Sequence, residues 1–214
     1  MFPETFTTKI RDMTGAVVAR TLGRTSITAS DLTIAGTLLT CGAAWLIATG
    51  HFVWGGLLVA FASSFDMLDG ALARVKREAS NYGAFLDSTL DRYSEAVIYF
   101  GLLYYYHIHQ IGGSEPLLIY AIVTGSLLTS YIRARAEALG YDCKVGLLER
   151  PERIIVLVLG LLSGYLTIAF WVLAVLTHVT AIQRFVHVWG QGKGERPARR
   201  KSAKGASVIA EPGE

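Results

Sequence analysis

Charge is scarce in this chain, and the scarcity is patterned. Only 17% of the 214 residues are Asp, Glu, Lys or Arg, while 52% are hydrophobic and the mean hydropathy is +0.40. Leu32 to Phe65, Ala96 to Ser114, Pro116 to Ile132 and Ile154 to Gln183 contain no Asp, Glu, Lys or Arg at all. That deficit excludes an ordinary soluble domain and points to an integral membrane protein. Cysteine is nearly missing too. Cys41 falls in an apolar run and Cys143 in a polar loop, which excludes a disulfide framework and a cysteine-based metal site. The first residues lack an apolar core ahead of a small-residue cleavage site, so they do not read as a signal peptide.

What is present is long apolar runs. A transmembrane helix takes about 20 mostly apolar residues, so the two longest runs each hold two crossings. Breaks at Thr49-Gly50-His51 and Ser163-Gly164-Tyr165 give helices over Leu32–Ala48, Phe52–Val75, Gly83–His107, Pro116–Leu139, Arg153–Leu162 and Leu166–Val188. The expected fold is an all-α membrane protein with six transmembrane helices in residues 27–189. Ahead of it, Ile10, Met13, Val17, Val18 and Leu22 recur at helical spacing between basic residues. Residues 1–26 therefore read as a juxtamembrane segment, either an amphipathic helix on the membrane surface or a lead-in helix packed on the bundle. Residues 190–214, rich in Gly, Pro and Lys/Arg, read as a disordered basic tail, either a topology signal or an attractor of anionic headgroups. With six crossings all 20 Lys and Arg fall on one side or at adjoining helix ends. The positive-inside rule makes that side cytoplasmic, with both termini, in a multi-pass cell-membrane protein. No nucleic-acid partner is expected.

Four aspartates stand against this apolar background. Asp66 and Asp69 share one helix face, and Asp87 and Asp91 share a face on the next helix. Carboxylates at a bilayer boundary are costly, and four together repel, so they call for cations. An all-oxygen donor set selects Mg²⁺ or Mn²⁺. Gly70, Ala73 and Gly83 leave room for a ligand, and the Arg74 guanidinium suits phosphate. The ensemble reads as a site for a metal-bound pyrophosphate. An alternative of another class is a cation transporter, although transport sites usually lie near the midplane and these carboxylates sit at one boundary.

Written as Asp66-x2-Asp69-Gly70-x2-Ala73-Arg74-x8-Gly83-x3-Asp87-x3-Asp91, the stretch resembles the signature of the CDP-alcohol phosphotransferases at every specified position. The resemblance implies transfer of a phosphate-containing group from a CDP-linked donor to an alcohol, with release of CMP. It implies that Asp66, Asp69, Asp87 and Asp91 hold two divalent ions (Mg²⁺ or Mn²⁺) and that Asp91 is also the general base. Asp66, Asp69, Gly70, Ala73, Arg74 and Gly83 correspond to positions of the CDP site. No side chain of the motif offers itself as a covalent nucleophile, so direct displacement is expected.

A second region, SYIRARAEALGYDCKVGLLERPERIIVL, gathers Arg133, Arg135, Arg150 and Arg153 at neighbouring helix ends. Guanidinium groups match phosphate oxygens, so the cluster reads as a clamp for an acceptor phosphate; basic topology markers are the alternative. The stretch resembles the phosphatidylinositol-phosphate synthases. That likeness implies CDP-diacylglycerol as donor, with Ser130, Arg133, Arg135 and Arg153 around myo-inositol 1-phosphate and Arg184 as a further phosphate contact. Glycerol 3-phosphate is the alternative acceptor. Two departures stand out. Arg133 replaces the lysine of the S-Y-I-K pattern, and Thr28-Ala29-Ser30-Asp31-Leu32-Thr33 lacks the proline of T-P-[DN]-x-x-T and shifts its acid by one place. Glu95, one turn beyond Asp91, either extends the polar site or pairs with Arg92 or Arg133. His107 and His109 fall at the far interface. The Gly160/Gly164 spacing reads as a close crossing within the monomer ahead of helix association, while the resemblance implies a homodimer.

Overall fold

The computed structural model describes residues 25–76 and 80–208, with side chains described up to Lys193 apart from Met67. All regular structure among them is helical, in six elements: α1 (Ala29–Ala48), α2 (Phe52–Lys76), α3 (Asn81–Ile108), α4 (Glu115–Ala138), α5 (Arg150–Ser163) and α6 (Leu166–Val208). The surface helix expected before residue 25 lies outside the described residues.

Helix starts follow local chemistry. Thr28 and Asp31 form a reciprocal capping box on α1, with Thr28 N donating to Asp31 at 2.8 Å and Asp31 N donating to Thr28 Oγ1 at 3.2 Å. The box moves the start of α1 three residues ahead of the hydropathy boundary. Ser80 caps α3 by accepting from Gly83 N at 3.0 Å. Pro116 and Pro151 sit in the first turns of α4 and α5, where a missing N–H costs nothing. Gly164 ends α5 in the left-handed conformation, φ +79°.

The last helix overruns its expected end at Val188, and its backbone continues to Val208. The cause visible up to the described side chains is a latch. Gln191 donates to the Asp142 carbonyl at 2.6 Å and accepts from Asp142 N at 3.2 Å, holding the helix extension against the α4–α5 loop.

Among the described residues four helices are long and apolar enough to cross a membrane: α1, α2, α4 and residues Leu166–Lys193 of α6. α5, with 14 residues, spans only about 21 Å against a hydrocarbon core of about 30 Å. α3 has 28 residues but carries the polar motif in its first turns. The protein is a multi-pass membrane protein, and its outer face suits one. Trp45, Trp54, Phe61, Phe100, Leu117 and Ile168 are all more than half exposed, a liability in water and an ordinary surface in lipid.

The helices pair in two blocks. α1 packs on α2 and α3, and α4 packs on α6, which also meets α5. α2 against α5 and α3 against α4 join the blocks. The main core fills this junction with Tyr99 and Leu102 of α3, Ile122 of α4, Leu157 of α5 and Phe170 and Leu173 of α6. A smaller cluster of Leu32, Ala71 and Leu72, with Phe65 and Leu68 against it, stiffens the ends of α1 and α2 beside the aspartates. The Gly160/Gly164 spacing resolves within the monomer: a Cβ on Gly160 would come within 2.6 Å of Ala169 Cβ on α6, while Gly164 serves the turn.

Candidate active site

The aspartate pairs meet where α1, α2, α3 and α5 come together. Asp69 is 5% exposed and accepts a 2.7 Å hydrogen bond from Thr33 Oγ1 on α1. Asp66, one turn earlier on α2, faces α5, where Arg150 Nη1 lies 2.6 Å from its Oδ2. The same nitrogen lies 2.7 Å from Asp91 Oδ1 on α3. One guanidinium nitrogen thus ties three helices together. Arg150 Nε is buried beside this contact and has no hydrogen-bond partner. Asp87, half-buried, lies within electrostatic reach of Asp66, Asp91 and Arg150.

Beside the carboxylates opens a cleft of about 200 Å³ between α1, α2 and the start of α3. Asp69, Gly70, Ala73, Gly83 and Asp87 line it on one side, and Thr28, Ala29, Ser30 and Thr33 on the other. Three small residues expected at the nucleotide, Gly70, Ala73 and Gly83, therefore share one wall with two of the carboxylates, Asp69 and Asp87. A Cβ on Gly70 would meet nothing closer than Arg74 Nη1 at 3.7 Å, so its smallness leaves space on the cleft side. Arg74 itself is exposed and stands outside the cleft lining. The α1 lead-in, which departs from the T-P pattern, still supplies the opposite wall. Lys76 fixes that wall from the end of α2 by donating to the Thr25 and Ile27 carbonyls at 2.8 and 2.6 Å.

The carboxylates fit a hard divalent cation by donor type and position: four side chains, all oxygen, on two facing helices, with an open cleft next to them. Among the described residues no three His, Cys, Asp or Glu side chains close into a cage by themselves, and Arg150 occupies one oxygen each of Asp66 and Asp91. Any ion bound here shares those two carboxylates with Arg150.

The arginines expected around the acceptor divide into three groups. Arg133 on α4 and Arg184 on α6 converge on Glu149, with Nη1 and Nη2 at 3.7 and 3.5 Å from its Oε1. Arg184 is 4% exposed and also donates to the Val145 and Thr129 carbonyls, each at 2.8 Å. Ser130, next to Thr129, is half-buried at the same level of α4. Arg153 points into the core, where its Nε and Nη2 meet Glu95 at 2.7 and 2.9 Å. Arg135 is exposed and lines a separate apolar groove with Tyr131, Phe185 and Trp189. Glu95 thus pairs with an arginine, and it is Arg153 rather than Arg92 or Arg133; Arg92 bonds the Ser88 carbonyl and Arg133 bonds Glu137 at 2.9 Å. At the opposite end His109 stacks on Tyr105 at 4.3 Å between centroids, in keeping with an interface position.

Sequence reasoning left Thr33 and Glu149 without site roles, and it grouped Arg150 with the acceptor clamp, whereas Arg150 meets Asp66 and Asp91. Arg150 and Glu149 carried a signal, since both stand in Glu149-Arg150-Pro151-Glu152-Arg153. Thr33 carried almost none, because its partner Asp69 lies 36 residues away.

The site is a set of paired aspartates beside a ligand-sized cleft at one end of an apolar helical bundle. Residues 26–189 match the CDP-alcohol phosphatidyltransferase family, and the chain belongs to that family and is a transferase. It is 41% identical over 174 residues to the archaetidylinositol phosphate synthase of Methanothermobacter thermautotrophicus, covering 78% of this chain and 85% of the relative. It is 35% identical over 178 residues to the phosphatidylinositol phosphate synthase of Corynebacterium glutamicum, covering 79% and 81%. Among solved structures it resembles the Mycobacterium tuberculosis phosphatidylinositol phosphate synthase with CDP-DAG bound, with a TM-score of 0.77 and 34% identity over 83% of this chain and 94% of that one. The same enzyme in complex with manganese and citrate matches with a TM-score of 0.75 and 34% identity, covering 82% and 88%.

Proposed function

We propose that this protein transfers the phosphatidyl group of CDP-diacylglycerol to myo-inositol 1-phosphate, forming phosphatidylinositol phosphate and CMP. The observation that carries this reading is the placement of the cleft beside Asp69 and Asp87, with Arg150 on Asp66 and Asp91 and its sequence neighbour Glu149 against Arg133 and Arg184. Relatives named for that chemistry, one holding CDP-DAG and one manganese, support it.

In this reading Thr33 fixes the Asp69 carboxylate, and the small residues Gly70, Ala73 and Gly83 admit the CDP head to the cleft. Asp91 takes the proton of the acceptor hydroxyl as its oxygen attacks the phosphorus carrying the lipid. The bond from that phosphorus to the bridging oxygen breaks, and CMP leaves with the electron pair. Arg150, between Asp66 and Asp91, keeps Asp91 aimed at the reacting oxygen and places positive charge next to the transferring group. Asp66, Asp69, Asp87 and Asp91 would hold two Mg²⁺ or Mn²⁺ ions, which when bound neutralise pyrophosphate charge. Arg133 and Arg184 hold the acceptor phosphate. The lipid tails stay in the bilayer throughout. The basic ends of α2, α4 and α5 support a site on the cytoplasmic side of the cell membrane, and the family resemblance supports a homodimer.

The test is CMP release by purified protein with CDP-diacylglycerol and Mg²⁺ or Mn²⁺. Inositol 1-phosphate, free inositol, glycerol 3-phosphate and serine are offered in parallel. Release stimulated by inositol 1-phosphate alone is expected. Release driven by another acceptor overturns the acceptor assignment, and ion flux without CMP release overturns the enzymatic reading.

A further inference from the structure

Glu149 stands at the N-cap of α5, where Ser, Thr, Asp or Asn would normally serve, yet its side chain makes no cap hydrogen bond. It turns instead toward Arg133 and Arg184, which belong to helices on either side of the α4–α5 loop. Both contacts are long, 3.7 and 3.5 Å, where a settled charge-assisted hydrogen bond measures about 2.7–2.9 Å. Glu137 shows the contrast, holding Arg133 at 2.9 Å. Glu149 is also free to leave, because its side chain is 46% exposed and it sits on extended backbone at the loop end.

We propose that Glu149 is a displaceable internal anion of the acceptor clamp and determines its selectivity for phosphomonoesters. The inference rests on the proposed role of Arg133 and Arg184 in holding the acceptor phosphate. Those two cations are balanced by Glu137 and Glu149. A phosphate dianion entering the balanced set meets no net attraction unless one carboxylate leaves. Both carboxylates are about half in solvent, but Glu149 is the one held only by long contacts, so it gives way. A neutral polyol brings no charge with which to displace it, so the same carboxylate discriminates against unphosphorylated acceptors. Arg184 keeps its place during the exchange, since the Val145 and Thr129 carbonyls anchor it independently.

The experiment measures sulfate, as a phosphate mimic, by calorimetry on the full chain in detergent at fixed ionic strength, and by competition against inositol 1-phosphate. Glu149→Gln is expected to tighten sulfate about fivefold, the effect of removing one partly screened charge at this separation. Glu149→Asp, which retracts the carboxylate by one methylene, should fall between the two. Unchanged or weaker sulfate binding in folded Glu149→Gln overturns the inference, because it would make Glu149 a strut for the arginines or a bystander. Arg133→Gln separates this from the parent reading. If that variant leaves sulfate affinity and the inositol 1-phosphate KM untouched, the clamp assignment itself falls, whatever Glu149→Gln does.

Discussion

Arg153 and Glu95 meet edge to edge in the protein interior, with Nε and Nη2 of one at 2.7 and 2.9 Å from the two carboxylate oxygens of the other, at 3% and 6% exposure. The pair joins α5 to α3 just below the Arg150 contact with Asp66 and Asp91. Removing one member strands a buried charge. Glu95→Gln or Arg153→Gln is expected to cost about 3–5 kcal/mol, read as a lowered midpoint of thermal unfolding in detergent. The paired change Glu95→Leu with Arg153→Met should recover most of that loss. Recovery of stability without recovery of CMP release would show that the pair also aligns α5 with the aspartates.

Arg150 gives a prediction of another kind. Its side chain is partly exposed and sits among reacting groups, so Arg150→Gln should spare the fold. Turnover should fall about 10²–10³-fold, the range seen when one preorganised electrostatic donor is lost. A fall in kcat with little change in acceptor KM is the expected split. A selective rise in acceptor KM would instead place Arg150 in the clamp.

The Thr33 hydroxyl holds Asp69 from a different helix. Thr33→Val removes that donor and leaves a buried carboxylate oxygen unpaired, at a cost of about 1–3 kcal/mol. Thr33→Ser keeps the donor and should behave like the parent. Thermal unfolding tests the stability claim, and Mn²⁺ titration followed by electron paramagnetic resonance tests whether Asp69 has moved.

At Gly101 on α3, an added Cβ would lie 2.5 Å from the Ala44 carbonyl oxygen on α1. A backbone atom cannot swing aside, so Gly101→Ala should push α1 from α3 and cost about 1–3 kcal/mol. The cleft wall carried by α1 would shift with it. The donor KM is expected to rise more than the acceptor KM.

Cys143 lies in the α4–α5 loop, fully buried, and burial pushes its thiol above the ordinary range. The folded protein therefore holds a neutral thiol where the unfolded chain would ionise at about pH 8.5. The associated stability is present below that pH and is lost as pH rises through the folded value. Maleimide labelling of Cys143 should be slow at pH 7 and accelerate on unfolding. Fast labelling of the native protein would show that the loop opens.

The helices were legible because a charge-free run in a membrane protein reports the solvent directly. The aspartates were legible because helical spacing fixes which of them share a face. Helix ends were less so. Hydropathy registers transfer free energy, whereas Thr28 acts through a reciprocal cap with Asp31 and Gln191 through two hydrogen bonds to the α4–α5 loop. The arginines were the least legible. Arg153 and Arg150 are three residues apart in one segment, yet one enters the core and the other reaches Asp66 and Asp91. Only the positions of Glu95 on one side and of Asp66 and Asp91 on the other distinguish them, and those partners come from other helices. Basic composition identified a cluster, while packing assigned its members.

The two-block pairing of the helices has an evolutionary reading. Cleft and carboxylates belong to α1–α3, whereas the arginines proposed to hold the acceptor ride on α4–α6, with Arg150 and the Arg153–Glu95 pair as straps across the seam. Drift in the second block can rewrite which alcohol is accepted while the first goes on activating the same nucleotide-linked lipid. A chimera that keeps residues 25–108 and borrows the remainder from a relative with a different acceptor should inherit the relative's taste, provided the strap arginines travel with it.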